Sequence, residues 1–370
     1  MQTKQYPFYL QSTVVLFGLI LLFYVFDQLA DILIPLAFAA FIAVLLNPLC
    51  TRLERLKIPK IVAISITLLI AILVLAGLFY FLSSQIISFG ASLPTLKAKF
   101  AEITNDLKNW VFIHFGINTQ KQVQFINEAL NNSKAMVGKT IGTVLGTLSI
   151  IFLIPVYIFL MLLYKTLILN FLFEVFSEEN VAQVADILKE TKAAIQSYIV
   201  GLLTETLIVA ILNSAALMIL GVPYAILLGV IGALLNMLPY IGGIIAIALP
   251  VLMATVTKDG YSTQLGIVVA YSVIQFIDNN ILVPRIVSSK VQINALISIV
   301  IVLLGGALWG ISGMFLSIPF IAVLKIIFDR IDDLKPWGKL FGDNIPTRHI
   351  GQIWHLRRER RLAKSAGKAV

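Results

Sequence analysis

A chain of 370 residues that is 59% hydrophobic and only 13% charged, with a mean hydropathy of +0.95, lies outside the range of soluble globular proteins. Long stretches carry no charge at all, so the composition predicts lipid as the solvent for most of the exterior. The net charge of +9 does not point to nucleic acid, because eleven of the 28 Lys and Arg lie between Lys325 and Lys368, in a basic tail suited to anionic membrane lipid.

Taken in chain order, apolar runs, uncharged but for Glu205 and Asp278, fall at about 10–26, 32–49, 61–82, 141–164, 199–220, 222–256, 265–277 (continuing past Asp278 to 283) and 291–324. Most are long enough to cross a hydrocarbon core of ~30 Å as helices. An Ala-x-Ala pattern at Ala37-Phe38-Ala39 lies inside the second run rather than after a polar boundary, so both early runs read as retained spans, not a signal peptide. Asp27 and Asp31 mark an acidic turn between the first two runs, whereas Arg52, Arg55, Lys57 and Lys60 separate the second from the third. The positive-inside rule places that basic loop in the cytoplasm and, with it, both termini. Cys50 is the only cysteine, so no intrachain disulfide can form.

Two segments break the apolar pattern. Leu93, Leu96, Phe100, Ile103, Leu107 and Trp110 recur at a 3-4 spacing that predicts an amphipathic helix, which the topology puts outside the cytoplasm. Residues 177–198 repeat the pattern with Val181, Val184, Leu188 and Ile195, after a candidate N-cap at Ser177 and acids at Glu178 and Glu179. The expected organisation is three N-terminal spans (1–83), an extracytoplasmic insert (84–140) and a span (141–164). A cytoplasmic amphipathic helix (165–198), a transport core (199–327) and a basic cytoplasmic tail (328–370) follow. The fold class is all-α polytopic, with about six full spans.

The core contains two interrupted runs. Pro239, Gly242 and Gly243 break 222–256, leaving halves of roughly 14 residues, or ~21 Å of helix, short for a crossing. Gly305, Gly306, Gly310 and Gly313 break 291–324 in the same way. Both read as helical hairpins, and the order span, hairpin, span, hairpin predicts an inverted repeat, the arrangement that frames a binding site in many transporters. The competing reading is that these glycines only permit close helix packing, and for Gly138, Gly142 and Gly146 that reading suffices.

Polar residues inside the apolar runs supply the candidate site. Gln275, Asp278 and Asn279 share one helical face. An acid at bilayer depth costs on the order of 3 kcal/mol, so it belongs against a cavity or a partner. Arg285 lies seven residues after Asp278, within reach if the helix continues, but Pro284 frees the carbonyl of Asn280 between them. The Pro-broken face can bind a proton or cation, or simply end the span at the surface. Asn236 precedes the Pro239-Tyr240 tip by one turn. Glu205 and Asn213 lie in the preceding span, with Glu205 near its boundary, where a snorkelling surface acid is expected. Enzyme signatures are missing: Gly138-Lys139-Thr140 follows Ser133 where a P-loop needs glycine, and His114, His349 and His355 are scattered. No cofactor is called for.

Pro239-Tyr240-Ile241-Gly242-Gly243, Gln275-x-x-Asp278-Asn279 with Pro284-Arg285, and Gly305-Gly306-x-x-Trp309-Gly310 with Gly313-Met314 resemble the autoinducer-2 exporter family of bacterial inner-membrane transporters. The resemblance covers most of residues 10–345. It implies a secondary transporter, assembled as a homo-oligomer and in the family's manner a pentamer, that exports autoinducer-2 or another small solute. In some members the implied activity is sodium/proton antiport. The family often has Glu at the position of Asp278, and a polar residue where Leu202 follows Gly201. A non-transporting scaffold or passive pore remains the alternative from a different class. On the carrier reading, Asn236, Pro239, Tyr240, Gly242, Gly243, Gln275, Asp278, Asn279, Arg285, Gly305, Gly306 and Gly310 line the site, and Asp278, then Glu205, couples transport to an ion.

Overall fold

The computed structural model describes residues 7–91, 93–115, 152–176, 181–237, 242–258, 260–287 and 293–343, and their regular structure is entirely helical. The glycine triplet at 138–146, Ser177, the Pro239-Tyr240 tip and the tail beyond 343 lie outside the described residues.

Helices α1 (Phe8–Gln28), α2 (Ala30–Arg55) and α3 (Lys60–Ala91) are followed by α4 (Leu93–Phe115), which takes up the amphipathic spacing after residue 93. Then come α5 (Phe152–Leu163) and α6 (Lys165–Val175), bent 64° from each other. Among the described residues Ala30–Arg55, Lys60–Phe89, Val181–Ile219 and Ser262–Ile286 are continuous helices long and apolar enough to cross a bilayer. Ala295–Arg330 has the length but is broken at Trp309 and Gly310, and α5–α6 has it only as a bent pair. Polarity is inverted relative to a soluble protein. Val14, Phe17, Val74 and Leu207 are more than 60% exposed, whereas Asn47, Thr67, Glu205, Asn213, Asp278 and Ser317 are buried. Side chains that lipid tolerates point outward, and those it penalises point inward.

Helix α7 (Val181–Ile219) is one unbroken helix of 39 residues, about 58 Å long. The amphipathic segment before residue 198 and the span after it therefore form a single rod that outreaches a bilayer at one end. At that end Arg330 reaches Asp186 at 3.4 Å and also pairs with Glu190, and Gln183 donates to the Arg330 carbonyl. This is the basic side of the bundle.

Helices α8 (Ala225–Asn236) and α9 (Gly242–Thr257) fold back on each other and open toward the other end of α7. There Tyr224, at the head of α8, packs edge-on against Phe89 and donates to the Ser88 carbonyl at 3.2 Å. At roughly 18 and 24 Å the two arms cannot each cross a full bilayer. Gly229 lets α8 cross α7 closely, since a Cβ there would stand 2.5 Å from the Ser214 backbone nitrogen.

Helix α10 (Ser262–Ile277) returns toward the basic side and widens into a π-helical turn at Asp278–Val287. Pro284 has no amide hydrogen to give Asn280, and the wider repeat accommodates that loss.

Helix α11 (Ala295–Arg330) is broken at Trp309 and Gly310, whose φ of +57° only glycine adopts freely. Its halves fold together: Ser317 donates to the Ile301 carbonyl at 3.0 Å, and a Cβ on Gly313 would stand 1.9 Å from the Gly305 carbonyl oxygen. Both ends of this second hairpin lie on the basic side. Asn294 caps α11 and bonds to carbonyls at the end of α12 (Lys335–Phe341), while at the tip Trp309 Nε1 donates to the Phe26 carbonyl at 3.0 Å. The two hairpins thus open toward opposite ends of α7.

Gly313→Ala forces a methyl into the Gly305 carbonyl and should destabilise the protein by about 1–3 kcal/mol. Gly77→Ala, in mid-helix with nothing within 4 Å, should not lower the melting temperature in detergent.

Candidate transport site

The buried polar groups of the core converge where α7, α8, α10 and the π-helical turn meet. Asp278 is 2% exposed, Glu205 6% and Asn213 3%. Asp278 sits sixteen residues along from Ser262, and Glu205 fourteen residues before Ile219. The two acids therefore lie about 24 and 21 Å in from the same end of the bundle. Their carboxyls face each other closely enough to interact directly.

Around them the hydrogen bonding is uneven. Asn236, the last residue of α8, donates from Nδ2 to Asp278 Oδ2 at 2.9 Å, and Gln275 Nε2 reaches the same oxygen at 3.4 Å and Asn279 Oδ1 at 3.3 Å. Asp278 Oδ1 is buried with no partner. Two further buried oxygens are unpartnered, Asn213 Oδ1 and the Tyr271 hydroxyl. Both side chains flank Gly232: a Cβ there would lie 3.4 Å from Asn213 Nδ2 and 3.6 Å from the Tyr271 hydroxyl. Asn213 is eight residues beyond Glu205 on α7, and Tyr271 seven residues before Asp278. Both spacings return to the same helical face. The result is a buried polar seam running from the acid pair toward the end of the bundle away from the basic side.

Chemically, two carboxyls held together in an apolar interior repel if both are ionised. Such a pair can hold a positive charge, either a proton between them or a small cation that the unpartnered oxygens help to coordinate.

The sequence-derived candidates divide. Asn236, Gln275, Asp278 and Asn279 come together as their spacing suggests, and Gly243 lies against Gln275, where a Cβ would stand 2.9 Å from Oε1. Gly242 serves close packing, since a Cβ there would meet the Leu235 carbonyl oxygen at 1.9 Å. Glu205 is not a snorkelling surface acid: α7 continues past the expected boundary and buries it opposite Asp278. Arg285 does not pair with Asp278; the π-helical turn carries it to an exposed position, and among the described residues it has no ion pair. Gly305, Gly306 and Gly310 belong to the second hairpin, whose contacts are with α7, α2, α1 and α12, and its tip rests against Phe26 rather than the acid pair. Tyr271 was not among the expected site residues, although it lies one turn before Gln275 on the same face.

An apolar exterior, a buried acid pair and two glycine-broken hairpins mark a polytopic helical membrane protein of the transporter class. The chain belongs to the AI-2E transporter family, whose model matches residues 12–333. Among its relatives, a putative transport protein of Haemophilus influenzae is 26% identical over 85% of this chain and 91% of its own length. YrrI of Bacillus subtilis, also a putative transport protein, is 28% identical over 80% and 85%. The AI-2 transport protein TqsA of Escherichia coli is 25% identical over 81% and 86%. The family is one of transporters rather than enzymes, and each of these relatives carries transport in its name.

Asn236→Ala leaves Asp278 without its shortest hydrogen bond and should cost about 1–3 kcal/mol of stability. Tyr271→Phe removes an unpartnered buried hydroxyl and should be neutral or slightly stabilising, both read by thermal unfolding in detergent.

Proposed function

We propose that the protein is a secondary transporter that moves a small solute out of the cell against the inward flow of a coupling ion. The observation that supports this most is the buried Glu205–Asp278 pair, because two acids placed in an apolar core cost free energy from which a scaffold gains nothing. On this reading the basic side faces the cytoplasm of a bacterial inner membrane. The two hairpins, opening toward opposite ends of α7, are the halves of an inverted repeat, and the pair binds and releases the coupling ion as the halves move. An autoinducer-2-like signal is the first solute to try, since one relative carries that transport in its name. Sodium/proton antiport is a second reading, favoured by the unpartnered oxygens of Asp278, Asn213 and Tyr271 along the seam.

Purified protein in proteoliposomes should support saturable flux of one member of a panel comprising autoinducer-2, sodium and small organic anions. Collapsing either a proton or a sodium gradient should stop that flux. Flux that is unsaturable and indifferent to both gradients would remove the carrier reading in favour of a pore.

A further inference from the structure

Away from the acid pair, on the basic side, lies a cavity of about 380 Å³ lined by residues of α2, α3, α5 and α6. Its polar wall carries Asn47, Cys50 and Glu54 from α2, Lys60 from α3, and Lys165 and Thr166 from α6. Lys165 Nζ donates to Asn47 Oδ1 at 2.9 Å and Lys60 Nζ to the Leu163 carbonyl at 2.6 Å. An ammonium has three donors, so each lysine keeps two for another acceptor. Neither lysine pairs with Glu54 or any other acid among the described residues. Two ammonium groups against one carboxylate leave the cavity with a net charge of +1, matched to a monoanion.

The surroundings say where that anion comes from. The 64° bend between α5 and α6 turns α6 away from the line of the span, and its Leu167, Phe171 and Val175 are exposed by 59–65%. A helix so placed rests in the membrane interface with its apolar side chains in the acyl region. Lys165 at its first position and Lys60 at the start of α3 then stand at headgroup depth. Arg52, Arg55 and Lys57 add positive charge on the same side.

We propose that this cavity binds the phosphodiester headgroup of an anionic membrane phospholipid, held between Lys60 and Lys165, and that the lipid braces the elbow where α5 turns into α6. The site is independent of the acid pair and of the transport reading.

Cys50 is buried, 4% exposed with its thiol donating to Glu54, but it lines the cavity and is the only cysteine in the chain, so its slow alkylation by N-ethylmaleimide reports occupancy of the full-length protein in detergent. Phosphatidylglycerol at ten times its Kd should slow labelling about tenfold, because only the open fraction reacts. Phosphatidylcholine and inorganic phosphate should leave the rate unchanged. Lys60→Gln combined with Lys165→Gln should abolish the protection, whereas Arg52→Gln, which removes a charge from the same side but off the cavity wall, should keep it. Equal protection by inorganic phosphate would assign the cavity to a free anion and overturn the lipid. Loss of protection in Arg52→Gln as well would reduce it to general surface charge, and protection that survives in the double variant would equally refute the site. If the double variant does not fold, the wild-type rates decide: no slowing by phosphatidylglycerol overturns the proposal.

Discussion

Hydrocarbon offers no hydrogen bonds, so a polar group placed in it must find its partner inside the protein. This constraint governs the arrangement of the chain. It makes every described element a helix, whose backbone bonds close within the element, and turns the apolar side chains outward. It also gathers Glu205, Asn213, Asn236, Tyr271, Gln275 and Asp278 along the contact of α7 with α8 and α10. That convergence is incomplete: three buried oxygens have no partner, and two carboxyls face one another. On the proposed coupling, the room left among these groups is for a charge that comes and goes.

The glycines make this geometry possible by letting backbones approach. Gly229 brings α8 against Ser214 of α7, Gly232 leaves space beside Asn213 and Tyr271, and Gly243 does so beside Gln275. In the second hairpin Gly305 and Gly313 bring two helical arms into backbone contact, with Ser317 bonded across to Ile301. Close packing and site building therefore go together in the first hairpin, where Gly229 and Gly242 serve the first and Gly243 the second. The second hairpin uses its glycines for packing and for the turn at Gly310, and anchors its tip on the end of α1 through Trp309.

Much of this was legible in the sequence because the relevant signals are local. Apolar run lengths located α2, α3, α10 and the second half of α7, Pro and Gly located both hairpin breaks, and helical spacing placed Gln275, Asp278 and Asn279 on one face. What escaped depends on how helices cross. An apolar run that begins at 199 makes Glu205 a boundary residue, whereas α7 runs unbroken from Val181 and buries it. The Asp278–Arg285 pairing assumed α-helical spacing that the π-helical turn removes. Tyr271 could have been found from its position one turn before Gln275, but its significance rests on facing Asn213 across Gly232, which no single helix reveals.

The central claim is that Glu205 and Asp278 act as one coupling unit. Gradient-driven flux in proteoliposomes should be measured for Asp278→Asn, Glu205→Gln and the two combined, each first shown to insert and to stay monodisperse. The account predicts that either single substitution abolishes driven flux and that the double variant is no worse than either one. Normal flux with unchanged pH dependence in Asp278→Asn would contradict it, and would leave the buried pair a structural feature of the core.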